Sequence, residues 1–380
     1  MAYVAAKGGE HAIQQAERLF QDLKRPLRRE DIDIIEQSMP LLIDRVMGEA
    51  SLYAPRLAAL ALAQAGGDLY EAVLLLRAFR STQPRLAYAQ TIDAAESLTV
   101  RRISAAFKDI PDGQVLGPTL DYSHRLLKLE VLDEEQSGDE SVLLADRPCP
   151  PTFTPVVDWE REQGLLSKLA QTKPEDPAQI PDLTRGPLLF PAHRAQRLQA
   201  MARADTGGIL SLGYANMRGY GGIHPTVNEV RLSLADVRMK HPVTGAVFSA
   251  GKMRMSQAEI VAPFKPDAEK PELDLGFAAT MGWNEVKVIA ASMLDRAMDR
   301  ENPHPAHQEE FVLYHTELVE SSGFCIHYKL PHYVTFNSDL DAMRKAMDVM
   351  GWLREPENDA KKAAKPQSKA STPSEETIHE

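Results

Sequence analysis

A proline-dense segment at residues 133–191 is the feature that most constrains how this chain can fold. It contains the stretches DRPCPPTFTP and KPEDPAQIPDLTRGP. Proline at this density cannot lie inside regular helices or sheets, because it lacks a backbone N–H donor. We therefore expect an extended arm or linker, with one short helix from about Trp159 to Ala170. This arm separates two regions whose apolar patterns differ.

The region before the arm, residues 1–132, has the pattern of helices. EHAIQQAERLFQDLK repeats apolar residues at helical spacing, and Pro40 interrupts a second helical stretch. DLYEAVLLLRAF begins at Asp68, with an acidic residue three positions later, which is typical of a helix start. LTVRRISAAFKDI predicts one more helix. We expect a mainly helical N-terminal region.

The region after the arm, residues 192–354, is mixed. EVRLSLADV alternates apolar and polar residues, as a half-buried strand does, and HPVTGAVFSAGKMRM predicts a turn and a second strand. WNEVKVIAASMLDRAMD predicts a helix capped by Asn284, and SDLDAMRKAMDVMGWL predicts a closing helix capped by Ser338. The predicted fold is α+β with a small antiparallel sheet. Residues 355–380 have few large apolar side chains and are expected to be disordered.

Charge and composition exclude several classes of protein. The formal net charge of −11 argues against a partner that is nucleic acid, which clustered positive charge would bind. No apolar run approaches the roughly 20 residues that span a bilayer, and the N-terminus does not have the pattern of a secretory signal. The two cysteines are too few for a disulfide framework. We expect a cytoplasmic protein without a membrane partner.

A glycine-rich loop is the most suggestive candidate for a ligand site. In MRGYGGIHPTVNEVR, residues 217–231, three glycines fall within four residues and allow close approach of the backbone to a ligand. The alternative is a simple bend that leads into a strand. The candidate residues of this loop are Arg218, Tyr220, Gly221, Gly222, His224, Asn228, Glu229 and Arg231.

Arginines in RAFRSTQPR form a second candidate. Arg77, Arg80 and Arg85 can bind a phosphate-rich ligand through paired guanidinium contacts. They can equally be a solvated helix end, where cations are favoured by the helix dipole. The P-loop pattern G-x-x-x-x-G-K-[ST] is absent from the sequence, so the chain is not a P-loop nucleotidase.

Two histidines in FCIHYKLPHYV form a third candidate. Pro331 disfavours a continuous helix through His327 and His332, so helical zinc spacing does not apply. Structural histidines, a metal pair and acid–base groups all remain possible interpretations. If the segment is a strand, Cys325 and His327 share a face. Zinc requires three or four protein ligands, so a metal bound here needs further ligands from another subunit or from substrate.

The order of six stretches points to a family. YVAAKGGEHAI, LRAFRSTQPR, RRISAAFKDIPDGQVLGPTLDYSHRLL, RGYGGIHPTVNEVR, WNEVKVIAASMLDRA and ESSGFCIHYKLPHYVTF occur in this order. Together they resemble the PhnI family, a subunit of the bacterial carbon–phosphorus lyase machinery, over roughly residues 3 to 350. The resemblance implies a role in phosphonate breakdown.

The resemblance also implies a reaction and partners. An alkylphosphonate displaces the purine base of a nucleoside triphosphate at C1′, giving ribose 1-alkylphosphonate 5-triphosphate, and water replaces the phosphonate when the subunit acts alone. The family works with PhnG, PhnH and PhnJ. The histidine pair matching His327 and His332 binds zinc at the contact with PhnJ.

Both reactants are anionic, so their approach needs cationic groups or Mg²⁺. We expect the arginines at 77, 80, 85, 218 and 231 to supply these groups, and Glu229 or His224 to protonate the departing base. The rival hypothesis is a scaffold subunit that only completes the zinc site of its partner.

Overall fold

The computed structural model describes residues 9–132, 153–167, 180–220, 224–263 and 271–351. Among these, the residues up to Phe324 form one compact unit and those from Cys325 form a second, small unit. The predicted disordered tail lies outside the described residues, as does much of the predicted proline-rich arm. Of that arm, a helix at Val156–Glu162 is described. It overlaps the predicted short helix only at residues 159–162, because the chain turns after Glu162, and the predicted end at Ala170 lies outside the described residues.

Twelve α-helices and four β-strands occur in the described residues, so the fold is α+β, as predicted. None of these helices is both long and apolar enough to cross a bilayer. The helices are α1 (Gly9–Leu23), α2 (Arg29–Ser38), α3 (Pro40–Ala50), α4 (Pro55–Gln64), α5 (Leu69–Ser81), α6 (Val156–Glu162), α7 (Arg194–Arg203), α8 (Thr206–Ala215), α9 (Glu285–Met298), α10 (Glu309–His315), α11 (Leu318–Tyr328) and α12 (Tyr333–Val349). The strands are β1 (Leu98–Ile103), β2 (Thr226–Lys240), β3 (Val247–Ala262) and β4 (Asp274–Met281).

The first core lies among α2 to α5. Pro40 ends one helical stretch and begins α3, because proline is tolerated in the first turn, where its missing N–H needs no partner. The predicted cap at Asp68 is confirmed: its carboxylate accepts hydrogen bonds from the backbone N–H groups of Tyr70 at 2.9 Å and Glu71 at 3.1 Å. The buried apolar residues include Ile43, Val46, Met47, Ala58, Ala59, Leu62, Ala72, Val73 and Leu76.

The four strands form one antiparallel sheet in the order β1-β2-β3-β4. The strands predicted from EVRLSLADV and from the stretch after HPVTG are confirmed as β2 and β3. The predicted helix in LTVRRISAAFKDI is wrong, because its first residues form β1 and pair with β2 from Leu98↔Leu234 to Ile103↔Val230. The mainly helical first region therefore supplies an edge strand to the sheet of the mixed region.

The second core lies between the sheet and α9, with α7, α8 and α10 around them. Asn284 caps α9 as predicted, accepting a hydrogen bond from the Lys287 N–H at 3.2 Å. At Gly276 on β4, a Cβ would overlap the backbone carbonyl oxygen of Ser292 on α9, so glycine permits this close packing. The predicted cap at Ser338 is wrong, since α12 already begins at Tyr333.

Candidate functional site

Two of the predicted arginines, Arg80 and Arg85, reach the same short segment of the chain. Arg80, at the end of α5, donates from Nη2 to the Thr184 hydroxyl oxygen at 2.7 Å. Arg85, in the loop after α5, forms an ion pair with Asp182. The structure therefore brings both guanidinium groups to residues 182–184, near the end of the predicted proline-rich arm.

A third arginine, Arg203 at the end of α7, completes this cluster. It donates from Nη1 to the backbone carbonyl oxygen of Leu183 at 3.1 Å. The three guanidinium groups line a cavity of about 390 Å³, which we call the arginine cavity. Its other lining residues include Ser51, Tyr88, Asp182, Thr184, Gln199 and Met281.

Arg77 has a different role, because its donors are used within the protein. Its Nε and Nη2 donate to the Glu49 carbonyl oxygen at 3.0 and 2.8 Å, and Nη2 also donates to the Arg203 carbonyl oxygen at 3.1 Å. It also forms an ion pair with Glu317. Arg77 thus ties α5 to α3, to the end of α7 and to the start of α11, and so positions the cavity.

The electrostatics of the arginine cavity favour an anionic ligand. Burial lowers the pKa of Arg80, Asp182 raises it, and the neighbouring arginines lower it further. Burial, with Arg77 as the next cause, lowers the pKa of Arg203 to about 10, so this guanidinium group remains charged at neutral pH. The Nε of Arg203 is buried and has no hydrogen-bond partner among the described residues. An anion would relieve the repulsion between these guanidinium groups and would accept hydrogen bonds from N–H groups such as Nε of Arg203.

Glu229, predicted as a proton donor, lies in a buried ion cluster. Its side chain is 1% exposed, Arg102 Nε donates to its Oε1 at 2.5 Å, and Arg231 Nη2 lies 2.8 Å from the same oxygen. Its Oε2 accepts the Val156 N–H at 3.1 Å. Burial would raise the pKa of Glu229, but Arg231 and Arg102 outweigh burial and hold the pKa below its ordinary value. A carboxylate in this state is ionised at neutral pH and is suited to hold β1, β2 and α6 together.

Two further buried glutamates flank this cluster, and sequence reasoning missed both. Glu259 lies opposite Glu229 on β3, and burial followed by the charge of Glu229 raises its pKa to about 8. Burial raises the pKa of Glu160 to about 7, although Asn228 donates to its carboxylate at 2.8 Å. The signal in the sequence was weak: Glu259 stands in the otherwise apolar run AEIVA.

The backbone of the predicted glycine-rich loop is described in part. Residues Asn216–Tyr220 form a π-helical turn that continues from α8. Gly219 has φ 112°, which is accessible to glycine and strained for other residues. Gly221 and Gly222 lie outside the described residues.

The side chains predicted from this loop do not all lie on one surface. Arg218 is exposed, with its guanidinium 5.9 Å from the Tyr214 ring centroid. Tyr220 is exposed and packs on His304, with ring centroids 4.6 Å apart. His224 is also exposed, and its Nδ1 lies 3.0 Å from the Pro225 carbonyl oxygen. These three side chains are accessible to a ligand, whereas Glu229 and Arg231 of the same motif are buried in the sheet.

The histidine pair lies at a break between two helices in the small unit. His327 is in the last turn of α11, and His332 immediately precedes α12. Their Nε2 atoms are 3.1 Å apart. The Leu330 carbonyl oxygen lies 2.6 Å from Nδ1 of His332 and accepts a hydrogen bond from it, so Nε2 of His332 carries a lone pair and faces Nε2 of His327.

This geometry fits two ligands of one metal ion. Two nitrogens bound to tetrahedral zinc at about 2.1 Å stand roughly 3.4 Å apart. Cys325 is helical and two residues from His327, so the two side chains point in different directions and the shared face expected of a strand is not formed. No group of three or more possible metal ligands occurs within the described part of the chain.

Comparisons with known proteins agree with the motif order. The family model described as "Bacterial phosphonate metabolism protein (PhnI)" matches residues 2–349. The chain is 42% identical, over 352 residues, to the alpha-D-ribose 1-methylphosphonate 5-triphosphate synthase subunit PhnI of Rhizobium meliloti (strain 1021), covering 90% of this chain and 94% of that protein. It is 39% identical, over 357 residues, to the subunit of the same name from Escherichia coli (strain K12), covering 90% of this chain and 98% of that protein. The chain therefore belongs to the PhnI family of bacterial phosphonate metabolism proteins.

Proposed function

We propose that this chain is a subunit of a carbon–phosphorus lyase system and displaces the purine base of a nucleoside triphosphate with an alkylphosphonate. The product is ribose 1-alkylphosphonate 5-triphosphate. The names of two relatives support this product, since both are called subunits of a synthase that makes the 1-methylphosphonate form. The observation that carries the proposal is the arginine cavity, because the substrate and the product both bear a triphosphate.

The proposed reaction forms one bond at C1′ and breaks another. A phosphonate oxygen forms the new C1′–O bond while the C1′–N9 bond breaks, and the electron pair of that bond leaves with the base. The sugar gains oxocarbenium character, as in glycoside hydrolysis, and a proton must reach the base as it departs. If water attacks in place of the phosphonate, the same site acts as a nucleosidase.

The described residues divide into distinct proposed roles. Arg80, Arg85 and Arg203 bind the triphosphate together with its Mg²⁺, and Arg77 positions them. Glu229 and Arg231 hold the sheet together and do not contact the substrate. Of the remaining loop residues, the exposed side chains of Arg218, Tyr220 and His224 are proposed to contact the ribose, with His224 as the proton donor. The predicted Gly221 and Gly222 lie outside the described residues. We propose PhnG, PhnH and PhnJ as the partners.

Release of free purine tests this proposal. The purified chain incubated with ATP or GTP and Mg²⁺ should release adenine or guanine, and the assembled subunits with methylphosphonate should form the ribose 1-phosphonate. Chromatography of the base and ³¹P spectroscopy of the sugar product measure the two steps. Absence of base release from both preparations would favour the scaffold function instead.

The incomplete metal shell favours that second candidate. We propose that His327 and His332 supply two ligands to a zinc ion whose other ligands come from a partner subunit. Bound zinc would join the subunits and supply a Lewis acid at their contact. The exposed apolar side chains of the small unit next to the pair, such as Tyr328, Tyr333 and Phe336, are consistent with such a contact.

Zinc content tests this second candidate. We expect the assembled complex to retain zinc and the isolated chain to retain little, because two ligands alone bind the ion weakly. H327A and H332A should each remove zinc from the complex, whereas C325S should retain it. Elemental analysis measures the zinc content of all five preparations. Equal zinc in the chain and in the complex would contradict a shared site.

A further inference from the structure

A second cavity lies directly beside the arginine cavity and shares Leu183 and Arg203 with it. Its volume is about 370 Å³. We call it the apolar cavity, because most of its wall consists of aliphatic side chains. These include Leu183, Pro187, Leu188, Ala200, Ala204 and Leu313.

Besides Arg203, the polar side chains that line the apolar cavity are those of Tyr314, Glu317 and Glu320. Tyr314 contributes an aromatic ring that is fixed against Phe190, with ring centroids 5.3 Å apart. Glu317 is already engaged, since it pairs with Arg77 and its Oε2 accepts the Glu320 N–H at 2.7 Å. The Glu320 carboxylate accepts no hydrogen bond from the described residues, although it lines the same cavity.

We infer that the apolar cavity binds the nucleobase of the nucleoside triphosphate and that Glu320 determines which base is preferred. This inference rests on the proposed function and goes beyond it by assigning a base subsite. A planar heteroaromatic ring fits between aliphatic and aromatic walls, which is the usual composition of a ligand pocket. Arg203, shared by both cavities, lies where the 5′-phosphate chain must pass from one cavity to the other.

The chemistry of Glu320 points to guanine. A carboxylate only accepts hydrogen bonds, and guanine presents two adjacent donors, N1–H and the 2-amino group, that pair with both of its oxygens. Adenine presents one amino donor beside N1, an acceptor that a carboxylate repels. The subsite therefore favours GTP over ATP.

Equilibrium binding to the full-length chain with Mg²⁺ tests the inference, with GTP, ATP and inorganic tripolyphosphate as the three probes. E320Q is expected to weaken GTP binding by roughly tenfold to a hundredfold, because hydrogen bonds to a charged group are lost. It should leave tripolyphosphate binding unchanged. A200L fills the apolar cavity without changing its charge. It should likewise weaken GTP binding and leave tripolyphosphate binding unchanged. E310Q, on the exposed start of α10, is the matched control and should change neither affinity.

The probes separate failure of this inference from failure of the proposed function. If tripolyphosphate binds while E320Q and A200L leave the preference for GTP over tripolyphosphate unchanged, the base subsite is wrong and the phosphate site stands. Tighter binding of ATP than of GTP would also overturn the role of Glu320. If neither GTP nor tripolyphosphate binds, the proposed function fails and the base subsite fails with it.

Discussion

Replacement of Glu229 with glutamine is expected to lower the free energy of unfolding by about 3–5 kcal/mol, the usual loss when one member of a buried ion pair is removed. The substitution leaves Arg102 and Arg231 buried without the charge that lies 2.5 and 2.8 Å from them. It also weakens the bond from the Val156 N–H that anchors α6. Denaturant unfolding of the full-length chain, followed by circular dichroism, measures the effect.

E259Q is the matched control for this prediction. Glu259 is buried on the neighbouring strand, and its pKa of about 8 keeps it neutral at pH 7, so glutamine replaces one neutral side chain with another. The unfolded chain loses the Glu259 proton above its ordinary pKa of 4.5, whereas the folded chain retains it up to about 8. Stability should therefore fall as the pH rises through this window, by at most about 1.4 kcal/mol per pH unit for one proton. E259Q should reduce that slope and should be at least as stable as the unmodified chain at pH 7, because glutamine needs no proton to stay neutral.

Unchanged stability of the E229Q variant would support a role for Glu229 in the reaction. If E229Q unfolds at the same denaturant concentration as the unmodified chain and E259Q does too, the ion cluster does not stabilise the sheet. Loss of base release in such a well-folded E229Q chain would then identify Glu229 as an acid acting on substrate.

Removal of the two accessible guanidinium groups of the arginine cavity should have the largest effect on activity. The double variant R80Q/R85Q is expected to lower kcat/KM for purine release from ATP by about a hundredfold or more, because each charge-assisted contact to phosphate contributes roughly 1.5–3 kcal/mol. Both residues are half-buried, and the described structure gives each few protein partners. We therefore expect the variant to fold, with a melting temperature close to that of the unmodified chain.

Two companion variants make this test specific. R80K keeps the charge but loses the planar donor pair, so it should recover part of the activity. R18Q removes an exposed arginine on α1 and should leave kcat/KM unchanged. Retention of full activity by R80Q/R85Q would show that the triphosphate binds elsewhere.

Local signals in the sequence were sufficient for most helices and for the two long strands. Asp68 and Asn284 cap helices as their residue types predict, and Pro40 separates two helices. These features depend on neighbours within a few positions, which is the range that sequence patterns report. The failure at LTVRRI has an equally definite cause. Its buried positions include Arg101 and Arg102, whose charge hides the pattern of a strand.

The candidate site residues also divide into those that local sequence signals indicate and those that only the folded structure shows. Arg80 and Arg85 were found because they lie close together in the sequence. Arg203, 126 residues after Arg77, was not found, since nothing in RLQAMARAD marks it as part of the same cluster. The histidine pair was found from its spacing and its proline, and the structure shows that their Nε2 atoms face each other across the break between two helices.

By itself, therefore, the sequence determined the α+β class, the helix caps at Asp68 and Asn284 and membership of the family, and it placed Arg80, Arg85 and the histidine pair among the candidate site residues. Only the tertiary structure decided that Glu229 lies between two buried arginines and that Arg203 and the 180–184 segment complete the arginine cavity. The reason is physical. Secondary structure depends on neighbours a few residues apart. The burial and the ionic partners of a charged side chain depend instead on segments that folding brings together. Burial and partners in turn decide whether a charged group is available to a ligand or stabilises the fold.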